Sequence, residues 1–376
     1  MSWDQDKKYQ KKMEKEKKEK ENDDPPTGNK GKMQADATVA DQYIKYPTDT
    51  NLLNESRKKL EGMIDKMYED QGKQGVKPRT YRRILDKAYL RHSKKRRKTK
   101  SEIRKMNRRL LEGVSRDLRH VDRMLDAYEK RGELFPLTNR ELKYLWVIRT
   151  IYMQQLEMYK NKTHKIADRI VSLHQPHVRP ILRGKDKARV EFGSKLSVSL
   201  DRGFAIINKI GWNAYNESGD LKEQVEKYRE IHGYYPELVQ VDKIYATREN
   251  RRWLKERGIR ITAAPLGRQA KESPVNYYQK RKRRMEAIER NAIEGKFGQG
   301  KNGYELNRIR ARLRDTSESW ISCIFFVMNL LRYEKVYFWP FLYRLFSRLR
   351  EAIYRYIFSK NKLAPSLTGL NYYFVN

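Results

Sequence analysis

Apolar residues change their spacing repeatedly along this chain, and each change predicts an element. In "KMQADATV" Met33, Ala35, Ala37 and Val39 alternate with their neighbours, which predicts a strand with Asp36 inside it. From Leu52 the spacing turns helical. Leu52, Leu53, Leu60, Met63, Ile64 and Met67 share one face, with Asp49 or Thr50 as the cap. Helical spacing persists to about residue 170. Within it "LTNRELKYLWVIRTIYMQQLEMY" opens on a capping box, Thr138 and Glu141, and "YLRHSKKRRKTKSEIRKMNRRL" reads as a basic helix or loop. Alternation returns in "VEFGSKLSVSL" and "FAIINKIGW", joined by Asp201, Arg202 and Gly203, which predicts a hairpin. Asp220 is placed to cap "DLKEQVEKYREIHG". An apolar strand "YPELVQVD" follows and ends on Asp242, then a helix around "RENRRWLKERG", a strand "IRITAAP", and a long basic helix from about Pro274 that carries Glu294. Strand, helical block, hairpin, then helices alternating with strands is an α/β order. Helical spacing resumes in "SWISCIFFVMNLLR" and "FLYRLFSRLREAIYRYIF", with Pro340 between them, and predicts C-terminal packing helices.

Composition adds a partner class. The 376 residues hold 84 Lys+Arg against 48 Asp+Glu, a formal net charge of +36, and charge on that scale points to a polyanion. Hydrophobic residues at 38% and 25 tyrosines still permit a core, and the length fits about two domains. Residues 1 to 30 are almost wholly polar and read as a tail or linker. The single cysteine, Cys323, excludes an internal disulfide framework and a Cys-rich zinc site, and fits a reducing, intracellular compartment. The N-terminus has no apolar signal-peptide core, and the uncharged run 319–331 falls short of the roughly 20 residues that span a bilayer. Packing is favoured over a membrane-surface role for the C-terminal helices.

Several chemistries drop out. His174 and His177 stand three apart in "HQPHVRP", a Pro-containing segment without a carboxylate or Cys companion, so a loop role is favoured over a metal site. No G-x-G-x-x-G, Walker-type or G-x-S-x-G motif supports nucleotide binding or an esterase. Carboxylates remain. Phosphodiester transfer can run on two divalent ions about 3.5 to 4 Å apart, held by oxygen ligands from strand ends and a nearby helix. Asp242 closes an apolar strand, although an ordinary strand-end aspartate would look the same. Glu294 lies in "RNAIEGKFGQGK", where an i,i+4 ion pair with Arg290 on a solvated helix face is the simpler local reading. Asp49, Asp201 and Asp220 have sufficient roles as cap or turn residues, which leaves Asp36 as the third candidate.

Taken together, "DATVADQYIKYPTDTNLLNESR", "KPRTYRR", "RIVSLHQPHVRPILRGK", "VEFGSKLSVSL", "GWNAYNESGDL", "GYYPELVQVDKIYATRENRRWLKERGIRI", "LGR" and "RNAIEGKFGQGKNGYELNRIRARL" resemble a bacterial insertion-sequence DDE transposase. The group is the one with an Arg/Glu/Lys signature around its catalytic glutamate, and the similarity spans roughly residues 33 to 332. The resemblance implies a ribonuclease H-like catalytic core in which Asp36, Asp242 and Glu294 bind two Mg²⁺ or Mn²⁺ ions. Arg290 and Lys301 take the places of the signature cations. The implied reaction is cleavage at element ends, then attack of the freed 3′-OH on target DNA. Implied partners are double-stranded DNA, both element ends and target, and a second copy of the chain in a homodimer on DNA, with no membrane. The implied location is the cytoplasm, at the nucleoid.

The expected organisation is a charged tail over 1–32, the first core strand over 33–44, a large all-α insertion between the first and second strands over 45–185, the rest of the core over 186–315, and C-terminal helices and tail over 316–376. The basic segment 91–109, with Arg79, Tyr81, Arg82 and Arg83 of "KPRTYRR" and Arg248 after Asp242, is the candidate DNA-backbone surface, beside the alternative of a merely solvated helix. Two departures stand out. Ala287 occupies the place where the signature usually has a tyrosine, leaving Tyr277 or Tyr278 to supply its contact. Relatives also generally carry a helical DNA-recognition region before the first aspartate, whereas about 35 residues precede Asp36 here. That implies recognition placed elsewhere or a shortened copy, and DNA binding of mostly electrostatic character. The competing readings are a DNA-binding relic without catalysis and a metal-dependent nuclease without strand transfer.

Overall fold

A computed structural model of the chain describes residues 28–182, 190–263 and 274–360. Most of the expected N-terminal tail, the "LGR" segment and the last residues of the chain lie outside them. The chain divides into two compact units, residues 1–325 and 326–376.

The first unit is built on a six-stranded sheet in the order β2-β3-β1-β5-β6, with β4 also on β3. The strands are β1 (Lys32–Asp41), β2 (Arg179–Leu182), β3 (Val190–Asp201), β4 (Phe204–Gly211), β5 (Leu238–Val241) and β6 (Arg260–Ile261). β1 is antiparallel to β3 and parallel to β5, and β5 is parallel to β6. The β3/β4 hairpin turns on Arg202 and Gly203, whose φ values of 48° and 88° lie in the left-handed region. That geometry matches the twist of the strands it joins.

β2 was not foreseen. The segment expected as a loop at "HQPHVRP" runs into a strand beside the start of β3, pairing Arg179 with Gly193 and Pro180 with Phe192. Pro180 has no N–H to donate to the ladder, and β2 tolerates it because it is an edge strand of the sheet.

Between β1 and β2 the chain forms the expected helical block: α1 (Asp49–Asp70), α2 (Arg82–Lys94), α3 (Lys100–Arg131) and α4 (Asn139–Lys160). Leu53, Leu60, Ile64, Met67, Leu110, Val114, Val121, Ile148 and Ile151 meet in one core. The Thr138/Glu141 capping box forms as read. The α1 cap is a correction. Thr48, not Asp49 or Thr50, accepts from the Asn51 N–H. Asp49 accepts instead from Gln155 at 2.8 Å and Arg169 at 2.7 Å, because the helical block folds back onto it. The basic stretch is both helix and loop, since α2 ends at Lys94 and α3 starts at Lys100 behind a second capping box, Thr99 with Glu102.

After β4 come α5 (Leu221–His232), α6 (Arg248–Glu256), α7 (Pro274–Gly303) and α8 (Arg314–Tyr333), within which the boundary between the units falls. Asp220 sits at the α5 cap position without a capping bond. Its carboxylate takes the Lys209 ammonium at 2.9 Å, so pairing with this β4 lysine displaces the expected cap. Met33 and Ala35 of β1 and Val239 and Val241 of β5 pack against Leu221, Val225 and Leu254. That buries α5 and α6 on one face of the sheet, and strand alternation turns Gln34, Asp36 and Gln240 to the other face.

The second unit contains α9 (Trp339–Lys360), entered through a wider helical turn over Glu334–Phe338. No helix among the described residues is long and apolar enough to cross a membrane.

Candidate active site

The site is laid out by two short matching phrases, Gln34-Ala35-Asp36 on β1 and Gln240-Val241-Asp242 at the end of β5. The parallel register sets Gln34 beside Gln240 and Ala35 beside Val241, so the next pair on the outer face is Asp36 and Asp242. The glutamines hold a helix in place. Gln34 donates to the Gln240 side chain and to the Glu289 carbonyl, each at 2.9 Å. Gln240 donates to the Glu286 carbonyl at 3.1 Å and to the Glu289 carboxylate at 2.9 Å. Lys32 adds an ion pair to Glu289 at 2.9 Å. α7 is thereby docked across β1 and β5, and Arg290, next after Glu289, and Glu294, one turn beyond Arg290, come to the aspartate end.

Arg290 then joins the two elements. Its guanidinium reaches Asp36 at 3.5 Å and Glu294 at 3.0 Å. The local ion pair read from spacing exists, but Arg290 serves a second carboxylate that only the fold brings near. Asp36 and Arg290 are largely buried at 19% and 18% side-chain exposure, while Glu294 is open at 56%. Burial holds the Asp36 carboxyl above its ordinary range, opposed by the Ala37 N–H and the Arg290 cation and reinforced by Asp242 and Glu217. Asp36 accepts from the Ala37 N–H at 2.8 Å and Asp242 from the Lys243 N–H at 2.7 Å, which fixes one oxygen of each carboxylate.

Residues 239–331 match the family model described as Transposase DDE domain. The matched segment contains Asp242, Arg290, Glu294 and Lys301 but not Asp36, which lies beside it through the β1/β5 register. No curated protein matches the chain.

Among the described residues, no three acidic, His or Cys side chains lie close enough to hold a metal ion as they stand. A guanidinium lies between Asp36 and Glu294 instead. The candidate donors are nonetheless all carboxylate oxygen, the set that hard Mg²⁺ or Mn²⁺ takes, so in donor chemistry they suit such an ion.

The other candidates are dispersed. Lys301 pairs with Glu191 at 3.5 Å. Arg248 is exposed at the start of α6, near Asp242. Arg82 makes a two-pronged pair with Asp65 at 2.6 and 2.7 Å, which engages its fork within the helical block. Arg83 is exposed, and Arg79 lies before α2, next to His120. Tyr277 and Tyr278 sit on α7 roughly 14 to 15 Å along the axis from Ala287, too far to occupy its place. His174 bonds the Tyr144 hydroxyl at 2.9 Å, and His177 packs edge-on to Trp212, where burial and nearby Arg179 lower its pKa to about 4.

Gln34, Gln240 and Glu289 were not singled out from the sequence. The signal was the repeated Q-x-D at the two strands, since a glutamine two residues before each aspartate shares its face.

Proposed function

We propose that this chain is a DDE transposase that cleaves DNA at element ends and joins the freed 3′-OH to target DNA. The observation that carries the reading is that Asp36 and Asp242 follow one another's register at the same end of the β1/β5 pair and that Arg290 links Asp36 to Glu294, within and beside the segment that matches the transposase model. A mixed sheet with both aspartates on its central parallel strands and the glutamate on a crossing helix also supports reading the first unit as a ribonuclease H-like core. The four helices between β1 and β2 would then be an insertion into it.

Asp36, Asp242 and Glu294 would hold the divalent ions, which supply activation of the attacking oxygen and stabilisation of the leaving oxygen. The strand register sets the separation of the aspartates, and the glutamine ladder fixes where α7 delivers Glu294. Arg290 is positioned to exchange its carboxylates for DNA phosphate, a fork-shaped cation suited to either. Lys243 and Arg248, exposed beside Asp242, extend that cationic margin. Double-stranded DNA is the partner this surface fits, and a homodimer follows from the need to bring two ends together. The nucleoid is where such a protein would act.

The test is cleavage and strand transfer on DNA carrying candidate element ends, in Mg²⁺ or Mn²⁺, with the full chain and with Asp242→Asn. Joined products that vanish in the variant are expected. Cleavage without joining would leave a nuclease, and DNA binding without cleavage by either protein would leave a non-catalytic relic.

A further inference from the structure

Three connecting segments of the first unit line a cavity that the transposase reading does not use. Tyr43, Lys45 and Tyr46 come from the link between β1 and α1, Gln175 from the link between α4 and β2, and Arg312 from the link between α7 and α8. Glu55 of α1 completes the set. The cavity holds about 220 Å³, and none of Asp36, Asp242 and Glu294 lines it. Main-chain bonds pin the links together. The Tyr43 N–H donates to the Ile309 carbonyl, the Ile309 N–H to the Asp41 carbonyl and the Gln42 N–H to the Phe192 carbonyl, each at 2.8 Å. The walls are therefore set before anything binds.

Several lining groups have nothing of the protein to bond. Gln175 is only 4% exposed, yet its side-chain amide has no hydrogen-bond partner among the described residues. An amide nearly closed off from water and unanswered by the protein is a group that a ligand can bond with profit. The half-buried Glu55 carboxylate has no ion pair among the described residues. Aromatic rings and cations stand at the mouth. Tyr46 is 71% exposed and Tyr43 58%. The Tyr46 ring is steadied perpendicular to Phe192 at 5.7 Å, and the Arg308 guanidinium covers the Tyr43 ring at 4.5 Å. Lys45 and Arg312 are exposed, with no acidic partner among the described residues.

These groups match the parts of a nucleotide. An exposed, steadied ring is a stacking platform for a base. An amide offers a donor and an acceptor side by side, the pattern that pairs with the edge of adenine, and a carboxylate accepts from an exocyclic amino group. Unpaired cations outside suit phosphate. The volume is below the roughly 300 to 1,000 Å³ that encloses a drug-sized molecule, so one base enters while sugar and phosphate stay at the mouth. We propose that this cavity is a nucleotide site that takes one unstacked base with an exocyclic amino group, adenine above all. Tyr46 stacks on the base, Gln175 and Glu55 read its edge, and Lys45 and Arg312 hold its phosphate. A free nucleotide and an unpaired nucleotide of a DNA strand present the same chemistry. The site goes beyond the transposase reading and shares no residue with its carboxylates, so either can fail alone.

The experiment is calorimetric titration of the full chain with dAMP, dTMP and deoxyribose 5-phosphate. The last is needed because a chain of net charge +36 attracts any phosphate. dAMP is expected to bind about tenfold more tightly than deoxyribose 5-phosphate, and Tyr46→Ala to remove most of that margin. Gln175→Leu should erase the preference for dAMP over dTMP. Circular dichroism checks folding, and Tyr46→Ala, at an exposed position, keeps the question answerable if Gln175→Leu does not fold. A duplex with one unpaired 3′ adenosine is compared with its blunt counterpart. Preference for the unpaired end that Tyr46→Ala abolishes makes a DNA strand the source, whereas a dAMP margin without that preference makes it a free nucleotide. If dAMP binds no better than deoxyribose 5-phosphate and the two duplexes bind alike, the inference is overturned. A dAMP margin that both variants keep overturns it as well, since the base is then held elsewhere. Absence of cleavage by the wild type would count against the transposase reading and leave this site standing.

Discussion

Arg290→Met is the substitution whose outcome separates a metal site from a plain salt-bridge cluster. In the free protein the guanidinium lies 3.5 Å from Asp36 and 3.0 Å from Glu294. At 3.5 Å, a unit charge pair is worth about 1 kcal/mol in water and about 5 kcal/mol at the effective dielectric of a partly buried surface site. The contact to Glu294, more than half exposed, belongs near the low end. An ion entering between the carboxylates has to displace that attraction. Methionine keeps the length and apolar stem of the side chain without its charge, so ion affinity should rise by roughly fivefold or more, at 1.4 kcal/mol per factor of ten. Affinity for DNA should fall in the same variant, because the displaced cation is the one offered to phosphate. The assay is Mn²⁺ titration of the full chain without DNA, with duplex binding measured alongside. Arg290→Lys should fall between, since it keeps the charge and loses the fork. A folded Arg290→Met protein that binds Mn²⁺ no better than the wild type would refute the idea that Arg290 occupies an ion's place.

Other outcomes follow from the same structure. Burial raises the pKa of Asp117, fully enclosed in the helical block, to about 7. Because the folded value lies above the unfolded one, its contribution favours folding at low pH and is lost as pH rises from about 4 to about 7, on the order of 4 kcal/mol in all. Asp117→Asn should flatten that part of the urea stability profile, and an unchanged slope between those limits would count against it. Arg57, with no exposed side-chain surface, bonds Glu61, Asn54 at 2.9 Å and Asp86 at 2.5 Å. Arg57→Ala leaves Glu61 buried and unpaired and should cost about 3 to 5 kcal/mol of stability by urea denaturation, whereas a loss under 1 kcal/mol would contradict the pairing. A Cβ at Gly193 would stand 1.9 Å from the Ala40 carbonyl oxygen, so Gly193→Ala should part β1 from β3 and lower the urea midpoint. An unshifted midpoint would mean that the strands are not so closely apposed. Affinity for duplex DNA should drop by about a thousandfold between 50 and 200 mM salt. Tight, salt-insensitive binding to one terminal repeat would show base-specific recognition instead.

Much of the fold was legible because it rests on local rules. Alternation in "KMQADATV" and helical spacing from Leu52 are written in neighbouring residues, and so is the Thr138/Glu141 capping box that forms as read. Where long-range pairing competes with a local preference, the local reading fails. Asp49 leaves the cap to Thr48 because Gln155 and Arg169 claim its carboxylate, and Asp220 gives up its capping bond to Lys209. β2 escaped notice because four residues with a proline carry no period, and only the start of β3 beside them makes them a strand.

The site divides in the same way. Sequence by itself determined the residue types: one aspartate inside a strand and another closing an apolar strand, a glutamate among cations on a helix, and a large positive charge. The tertiary structure decided which of them meet. The parallel register sets Asp36 and Asp242 on one face, and the glutamine ladder carries Arg290 and Glu294 to that face. Spacing along a chain specifies direction within one helix or strand, whereas proximity between elements comes from burying their apolar faces and satisfying the polar groups trapped between them.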